Sequence, residues 1–121
     1  MTALRGGSLQ LVKLYIDLCQ LYHTKPHPSI LTALRWDLTH LHPVRANGVF
    51  RDHDLLPLVD LLMSPAASHI TSLSFRGCRL RAAGGVQIAR LIARMPQLTA
   101  LDLSGNALGA DAGVLLSLIH I

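Results

Sequence analysis

Cysteine and histidine are the side chains of this 121-residue chain best suited to hold a metal ion, and there are two cysteines and seven histidines. Zinc binds such ligands in a tetrahedral arrangement. The candidate ligands are Cys19, His23, His27, His40 and His42. Cys19, however, lies beside Tyr15 on the apolar face of a predicted helix, where a thiol is an ordinary core residue. Pro28 interrupts that helix near His27. We therefore predict no metal site.

Cys78 is the candidate nucleophile, with His69 or His53 as its base. Ser104 and Asp102 need no catalytic partner, because they alternate with leucines as solvent-facing strand positions do. The sequence contains no glycine-rich phosphate-binding fingerprint. We predict that the chain has no catalytic residue and no cofactor, and that it is not an enzyme.

Basic residues exceed acidic ones and give a net charge of +4. They are scattered and lack the interleaved aromatic residues on which bases would stack, so we predict no nucleic-acid partner. The arginines at positions 79, 81, 90 and 94 would suit an acidic partner. We interpret them instead as a solvated face, which is the usual role of surface charge.

Cys19 and Cys78 are far apart in the sequence and build no disulfide framework, which favours a reducing compartment. The first residues lack the uninterrupted apolar core of a signal peptide, because Lys13 and Asp17 break it. No stretch is long and apolar enough to span a membrane. We expect a cytoplasmic protein without a membrane partner.

Two stretches of the chain resemble each other at a distance of 28 residues: ITSLSFRGCRLRAAGG begins at Ile70 and LTALDLSGNALGADAG begins at Leu98. Both fit the pattern L-x-x-L-x-L-x-x-N/C-x-L, with Cys78 and Asn106 at its polar position. This pattern resembles the leucine-rich repeat family, and the period resembles its ribonuclease-inhibitor-like subtype. The family takes Asn or Cys interchangeably at the position of Cys78, which implies a structural role for this thiol.

Each repeat is predicted to form a strand, a turn and a helix. Leu101 and Leu103 alternate with polar residues as in a strand with one buried face, and residues 82–95 have a helical period that includes Val86. One such unit cannot bury its apolar face alone, so units must stack with their strands on the concave side of an arc. The predicted fold is α/β, a short leucine-rich repeat solenoid with an N-terminal helical cap.

The chain divides into three predicted segments. They are a helical N-terminal cap at residues 1–35, a degenerate first repeat at 36–69, and two leucine-rich repeats at 70–121, the second truncated. In the degenerate repeat, Trp36 and Leu38 alternate as in a strand, and Asp54 is predicted to cap a helix that runs through Leu62.

The N-terminal segment is similar to the helical cap of centrosomal and ciliary leucine-rich repeat proteins, which implies a location at the centrosome or cilium. The residues that carry this similarity are Tyr15, Leu18, Cys19, Pro28, Ile30, Leu31, Leu34, Asp37 and Leu38.

The concave strand face is where this kind of fold usually binds its partner. The residues predicted to contact a protein partner there are Asp37, Ser72, Ser74, Arg76, Asp102 and Ser104. We expect a non-catalytic scaffold for protein–protein interaction. One alternative is a GTPase activator similar to the Ran GTPase activator, with Arg45, Asn47 or Arg51 presented from a loop. A second is a fragment of an innate immune sensor.

The last six residues, LSLIHI, are expected not to belong to the natural protein. One set of codons for them resembles the transposon end used to tag sequencing libraries. The next repeat would begin at position 126, beyond Ile121, so we expect an N-terminal fragment of a longer protein. Its uncovered apolar end is expected to cause self-association.

Overall fold

A computed structural model describes residues 6–43 and 50–108 of the chain. The helices are α1 (Gly6–Leu21), α2 (Pro28–Arg35), α3 (Asp52–Leu62) and α4 (Ala82–Ile92), with a short 3-10 turn at Pro65–Ala67. The strands are β1 (His40–Leu41), β2 (Ser72–Ser74) and β3 (Ala100–Asp102). None of the described helices is long and apolar enough to cross a membrane. This mixture of helices and parallel strands is compatible with the predicted α/β class. The LSLIHI segment lies outside the described residues.

The two N-terminal helices lie where the apolar periodicity predicted them. Leu11, Tyr15 and Cys19 recur every four residues along α1, and all three are buried. Pro28 occupies the first turn of α2, where its missing N–H costs nothing. These helices are therefore confirmed, whereas the segment boundaries at residues 35 and 69 stay a prediction.

The strand predicted around Trp36 and Leu38 is wrong. Trp36 is the C-cap of α2, and Asp37 follows it with a left-handed φ of 56°. The Leu38 N–H donates to Ala33 O at 2.9 Å, so these residues close the end of the helix. Their backbone groups are thereby used locally, and Trp36 is 58% exposed. The strand of this segment begins at His40.

The three strands form one parallel sheet in the order β1-β2-β3. His40 pairs with Ser72 and Ser72 with Ala100, and the next row is Leu41, Leu73 and Leu101. Leu41 and Leu73 are buried, and Leu101 is partly buried against the same core. The predicted alternation and the predicted 28-residue register between β2 and β3 are confirmed.

Helices α3 and α4 pack against each other, and their buried side chains belong to the same core as the inward leucines of the strands. The inner face of α4 is formed by Ile88 and Leu91, whereas Val86, which we expected to be buried, is 40% exposed. Asp54 is not the N-cap of α3, because that helix already begins at Asp52. The Asp54 Oδ2 instead accepts a hydrogen bond of 2.9 Å from the N–H of Arg51, the residue before the helix.

The N-terminal helical pair is joined to α3 by polar contacts at the end of α1. The Tyr22 hydroxyl donates to Asp60, and the Thr24 hydroxyl donates to Asp54. The His53 Nε2 lies 2.6 Å from the Tyr22 carbonyl oxygen. Because α1 also contributes Leu11, Tyr15 and Cys19 to the core that contains α3, the cap and the repeats share one core.

Candidate functional site

The outward side chains of the three strands form a continuous polar surface, which we call the polar strand face. Its first row contains His40, Ser72 and Ala100, which are register partners on neighbouring strands. The His40 Nδ1 and the Ser72 Oγ lie 2.6 Å apart. The row is therefore held by a hydrogen bond between side chains of adjacent strands.

The second row of the polar strand face contains Ser74 and Asp102, with His42 directly after β1 on the same side. The Asp102 Oδ1 accepts hydrogen bonds from the Ser104 hydroxyl at 2.6 Å and the Ser104 N–H at 2.9 Å. These bonds hold the pKa of the Asp102 carboxyl below its usual value, and the charges of Arg76 and His42 act in the same direction. The face therefore presents a fixed carboxylate at neutral pH.

Arg76 and Ser104 lie just beyond the strand ends. The parallel bonding continues to them, because the Phe75 N–H donates to Asp102 O at 2.8 Å and the Gly77 N–H to Ser104 O at 2.9 Å. The structure thus places Ser72, Ser74, Arg76, Asp102 and Ser104 along neighbouring chain segments, as predicted. Ser74 is buried, so it offers little surface to a partner.

Asp37 does not continue this column, and its predicted placement is wrong. It lies in the turn that ends α2, and its Oδ1 is 3.1 Å from the Nε2 of His69. His40 and His42 take the first-strand positions instead. A sequence signal for them exists, because LTHLHP at residues 38–43 repeats ITSLSF at 70–75 and LTALDL at 98–103. The offset of 32 residues between the first two, against 28 for the second pair, hides it from a search with a fixed period.

The turn after each strand is closed by the polar residue of the repeat pattern. The Asn106 Nδ2 donates to Phe75 O at 2.6 Å and to Leu103 O at 3.0 Å, and its Oδ1 accepts from the Leu80 N–H at 2.9 Å. One amide therefore binds backbone groups of two successive repeats.

Cys78 occupies the corresponding turn one repeat earlier. Its thiol lies 3.6 Å from the Pro43 carbonyl oxygen, as a weak donor, and burial raises its pKa to about 11. The two candidate bases are engaged elsewhere, His69 with Asp37 and His53 with the Tyr22 carbonyl. These contacts favour the structural role that the family resemblance implies, because a nucleophilic cysteine needs a lowered pKa.

The candidate zinc ligands are not brought together. Cys19 is buried in the core, and burial raises the pKa of its thiol. His27 is also buried, where its Nδ1 accepts from the Ser29 N–H at 3.1 Å at the start of α2. Across residues 6–43 and 50–108, no group of three His, Cys or Asp side chains is placed to hold a metal ion.

Of the loop residues considered for a GTPase activator, Arg45 and Asn47 lie outside the described residues. Arg51 is described, and it is the residue directly before α3. The GTPase-activating and immune-sensor alternatives stay hypotheses.

Comparison with known proteins gives one family match. Residues 95–117 match the family described as Leucine Rich repeat, which includes β3 and the Asn106 turn. No curated protein and no solved structure gives a significant match to the chain. The matched family generally serves as a non-enzymatic module for protein interaction. The family match, taken with the repeated parallel strands, supports a leucine-rich repeat protein.

Proposed function

We propose that this protein is a non-catalytic scaffold that binds a protein partner through the polar strand face. The observation that carries the proposal is the alignment of His40, Ser72 and Ala100 in one row of a parallel sheet. In this arrangement the apolar side chains face the core, and the hydrogen-bonding groups face outward. A family match to a protein-interaction module supports the same role.

The chemistry of the face suits a polar partner surface. Asp102 supplies a carboxylate whose orientation is fixed by two hydrogen bonds from Ser104, and Arg76 supplies a positive charge close to it. His40 and Ser72 are already oriented by their mutual hydrogen bond. Groups held in place before binding lose little side-chain entropy when a partner arrives, which favours affinity.

Ala100 offers the sharpest test, because it is exposed near the middle of the polar strand face. Ala100→Arg would place a long charged side chain across the face. Ala93→Arg is the matched control, because Ala93 is also exposed but lies at the end of α4. Proteins captured from a cell extract by the wild type should be lost with Ala100→Arg and retained with Ala93→Arg. Equal retention by both variants would contradict binding at this face.

The finer parts of the proposal are a ribonuclease-inhibitor-like arrangement of the repeats and a cytoplasmic location at the centrosome or cilium. The 28-residue offset between β2 and β3 supports the first, and the helical pair before β1 supports the second. Fluorescence microscopy of the tagged chain with a centrosome marker tests the location. A diffuse signal without enrichment would remove that part alone.

A further inference from the structure

A second surface lies away from the polar strand face, where the chain leaves each strand and enters the next helix. A cleft there has a volume of about 420 Å³ and is lined by Arg51, Asp52, His53, Arg79 and Arg81. That volume is within the range of small-ligand pockets. The cleft brings together arginines from the loops before α3 and α4, which are about 30 residues apart in the sequence.

Positive charge dominates this cleft. Arg51, Arg79 and Arg81 are exposed, and in the described part of the chain none of them forms an ion pair with an aspartate. The Asp52 Oδ1 accepts a hydrogen bond of 2.9 Å from the Arg81 N–H, so this carboxylate is engaged by backbone. Three guanidinium groups therefore face one carboxylate that is already in use.

A neighbouring cleft extends the surface along the loops. It shares Arg79 and Arg81 with the first cleft and continues to Gly105, Asn106 and Ala107 in the next repeat. The two arginines thus stand between two concave surfaces. This shape suits an extended peptide whose side chains enter on both sides of the arginines.

We propose that these two clefts form an arginine groove that binds an aspartate- and glutamate-rich segment of a protein partner. Guanidinium groups bind carboxylates with paired, charge-assisted hydrogen bonds. None of the residues that line the two clefts is Phe, Tyr or Trp, so bases of a nucleic acid would find no stacking platform. The groove is independent of the polar strand face and goes beyond the function proposed there.

The backbone of Arg79 supports a functional reason for this side chain. Its φ of 60° is in the left-handed region, which glycine adopts without steric cost and arginine does not. Glycine at this position would relieve the backbone, yet the chain carries a side chain that reaches the groove. A residue retained at a cost in stability points to a role in binding.

The test uses the full chain and a fluorescent glutamate-rich peptide, with a glutamine-rich peptide of the same length as the neutral probe. Fluorescence anisotropy should show binding of the glutamate-rich peptide only, and weaker binding as salt is raised. Arg79→Gln with Arg81→Gln should weaken binding by about tenfold, which corresponds to the loss of about 1.4 kcal/mol. Arg90→Gln with Arg94→Gln removes the same charge from α4 and the residues after it, and should change affinity less than about twofold.

Arg79→Gly separates binding from folding. It should raise the melting temperature while it weakens binding of the glutamate-rich peptide. The proposal is overturned if the glutamine-rich peptide binds equally well, if both double variants lose affinity to the same extent, or if Arg79→Gly binds like the wild type. Tighter binding of single-stranded RNA than of the glutamate-rich peptide would overturn it in favour of a nucleic-acid partner.

Discussion

The side chain of Asn106 links backbone groups that belong to two repeats. It binds the carbonyl oxygens of Phe75 and Leu103 and the N–H of Leu80, at distances between 2.6 and 3.0 Å. These are strand-end and turn groups whose partner in the described structure is this amide, so the residue acts as a clamp between neighbouring turns.

Asn106→Ala should therefore destabilise the protein by about 2 kcal/mol, because polar backbone groups lose their partner in a partly buried place. The measurement is urea unfolding followed by circular dichroism. Ser104→Ala is the control, because Ser104 is exposed, and its loss should cost less than about 0.5 kcal/mol. Equal unfolding midpoints for the two variants would show that the clamp does not contribute to stability.

Cys78 and Asn106 occupy corresponding turns, and their contacts match. The Cys78 thiol faces the Pro43 carbonyl at 3.6 Å, while the Asn106 amide donates to the Phe75 carbonyl at 2.6 Å. Cys78→Asn should keep the fold and raise stability by about 1 kcal/mol, because an amide donates a stronger hydrogen bond than a thiol. Cys78→Ala is the comparison, and it should be less stable than Cys78→Asn. The reverse order of unfolding midpoints would contradict this interpretation of the turn.

Asp102 should remain ionised at pH values where an ordinary aspartate is protonated. The Ser104 hydroxyl and N–H bind the ionised form, so the folded-state pKa is lower than the unfolded one. The associated stability is present above the unfolded pKa and is lost as the pH falls through the folded pKa. An NMR titration should show the pKa of Asp102 rising towards its usual value in Ser104→Ala. An unchanged pKa would mean that the hydroxyl does not hold the carboxylate.

At the scale of elements, the turns after β2 and β3 are built from stacked glycines. Gly77 and Gly105 both have a positive φ, of 65° and 74°. A Cβ on Gly105 would lie 3.2 Å from the backbone N of Gly77, whereas a Cβ on Gly77 would meet no described atom within 4 Å. The two positions therefore share a backbone strain but differ in available space.

Gly77→Ala should cost about 1 kcal/mol, which is the cost of a left-handed conformation for a residue with a Cβ. Gly105→Ala should cost about 2 kcal/mol or more, because the contact with the Gly77 backbone adds to the same strain. Thermal unfolding of both variants checks the difference. A larger loss for Gly77→Ala would contradict the stacked arrangement of these turns.

The sequence was sufficient to predict the elements whose pattern is local. Leu101 and Leu103 alternate with Asp102 and Ser104, and the apolar positions of α1 repeat every four residues, so each pattern indicates its own element. The register of β2 and β3 also followed, because Ser72 and Ala100 are one period apart. These features depend on residues that are near in sequence or repeated exactly once.

The first strand and the arginine groove could not be predicted in the same way. Trp36 and Leu38 have the alternation of a strand, but backbone hydrogen bonds at the end of α2 determine their conformation. Asp37 was misplaced for this reason. Arg51 joins Arg79 and Arg81 only because α3 and α4 pack side by side, which is a tertiary fact that no spacing in the sequence encodes.

At the scale of the whole molecule, the N-terminal helices and the repeats are one folding unit. Tyr15 of α1, Leu58 of α3 and Ile88 of α4 belong to a single buried cluster. Contacts of Tyr22 and Thr24 with α3 add to this connection. A cap that shares its core with the repeats cannot unfold without exposing their apolar side chains.

Unfolding should therefore be a single cooperative transition. Trp36, the only tryptophan, reports on the end of α2, and far-ultraviolet circular dichroism reports on all helices. The two signals should give the same midpoint in a urea titration. Two separated midpoints would show that the N-terminal helices form an independent unit.

The sheet also has a direction in time. The carbonyl of Thr39 accepts from the N–H groups of Thr71 and Ser72, and the carbonyl of Thr71 accepts from those of Thr99 and Ala100. Each repeat thus offers a finished edge on which the next is moulded. Because a ribosome releases the chain from its N-terminus, every template is complete before its copy emerges. An error in an early strand is consequently inherited by all later ones, whereas a late error stays where it arises.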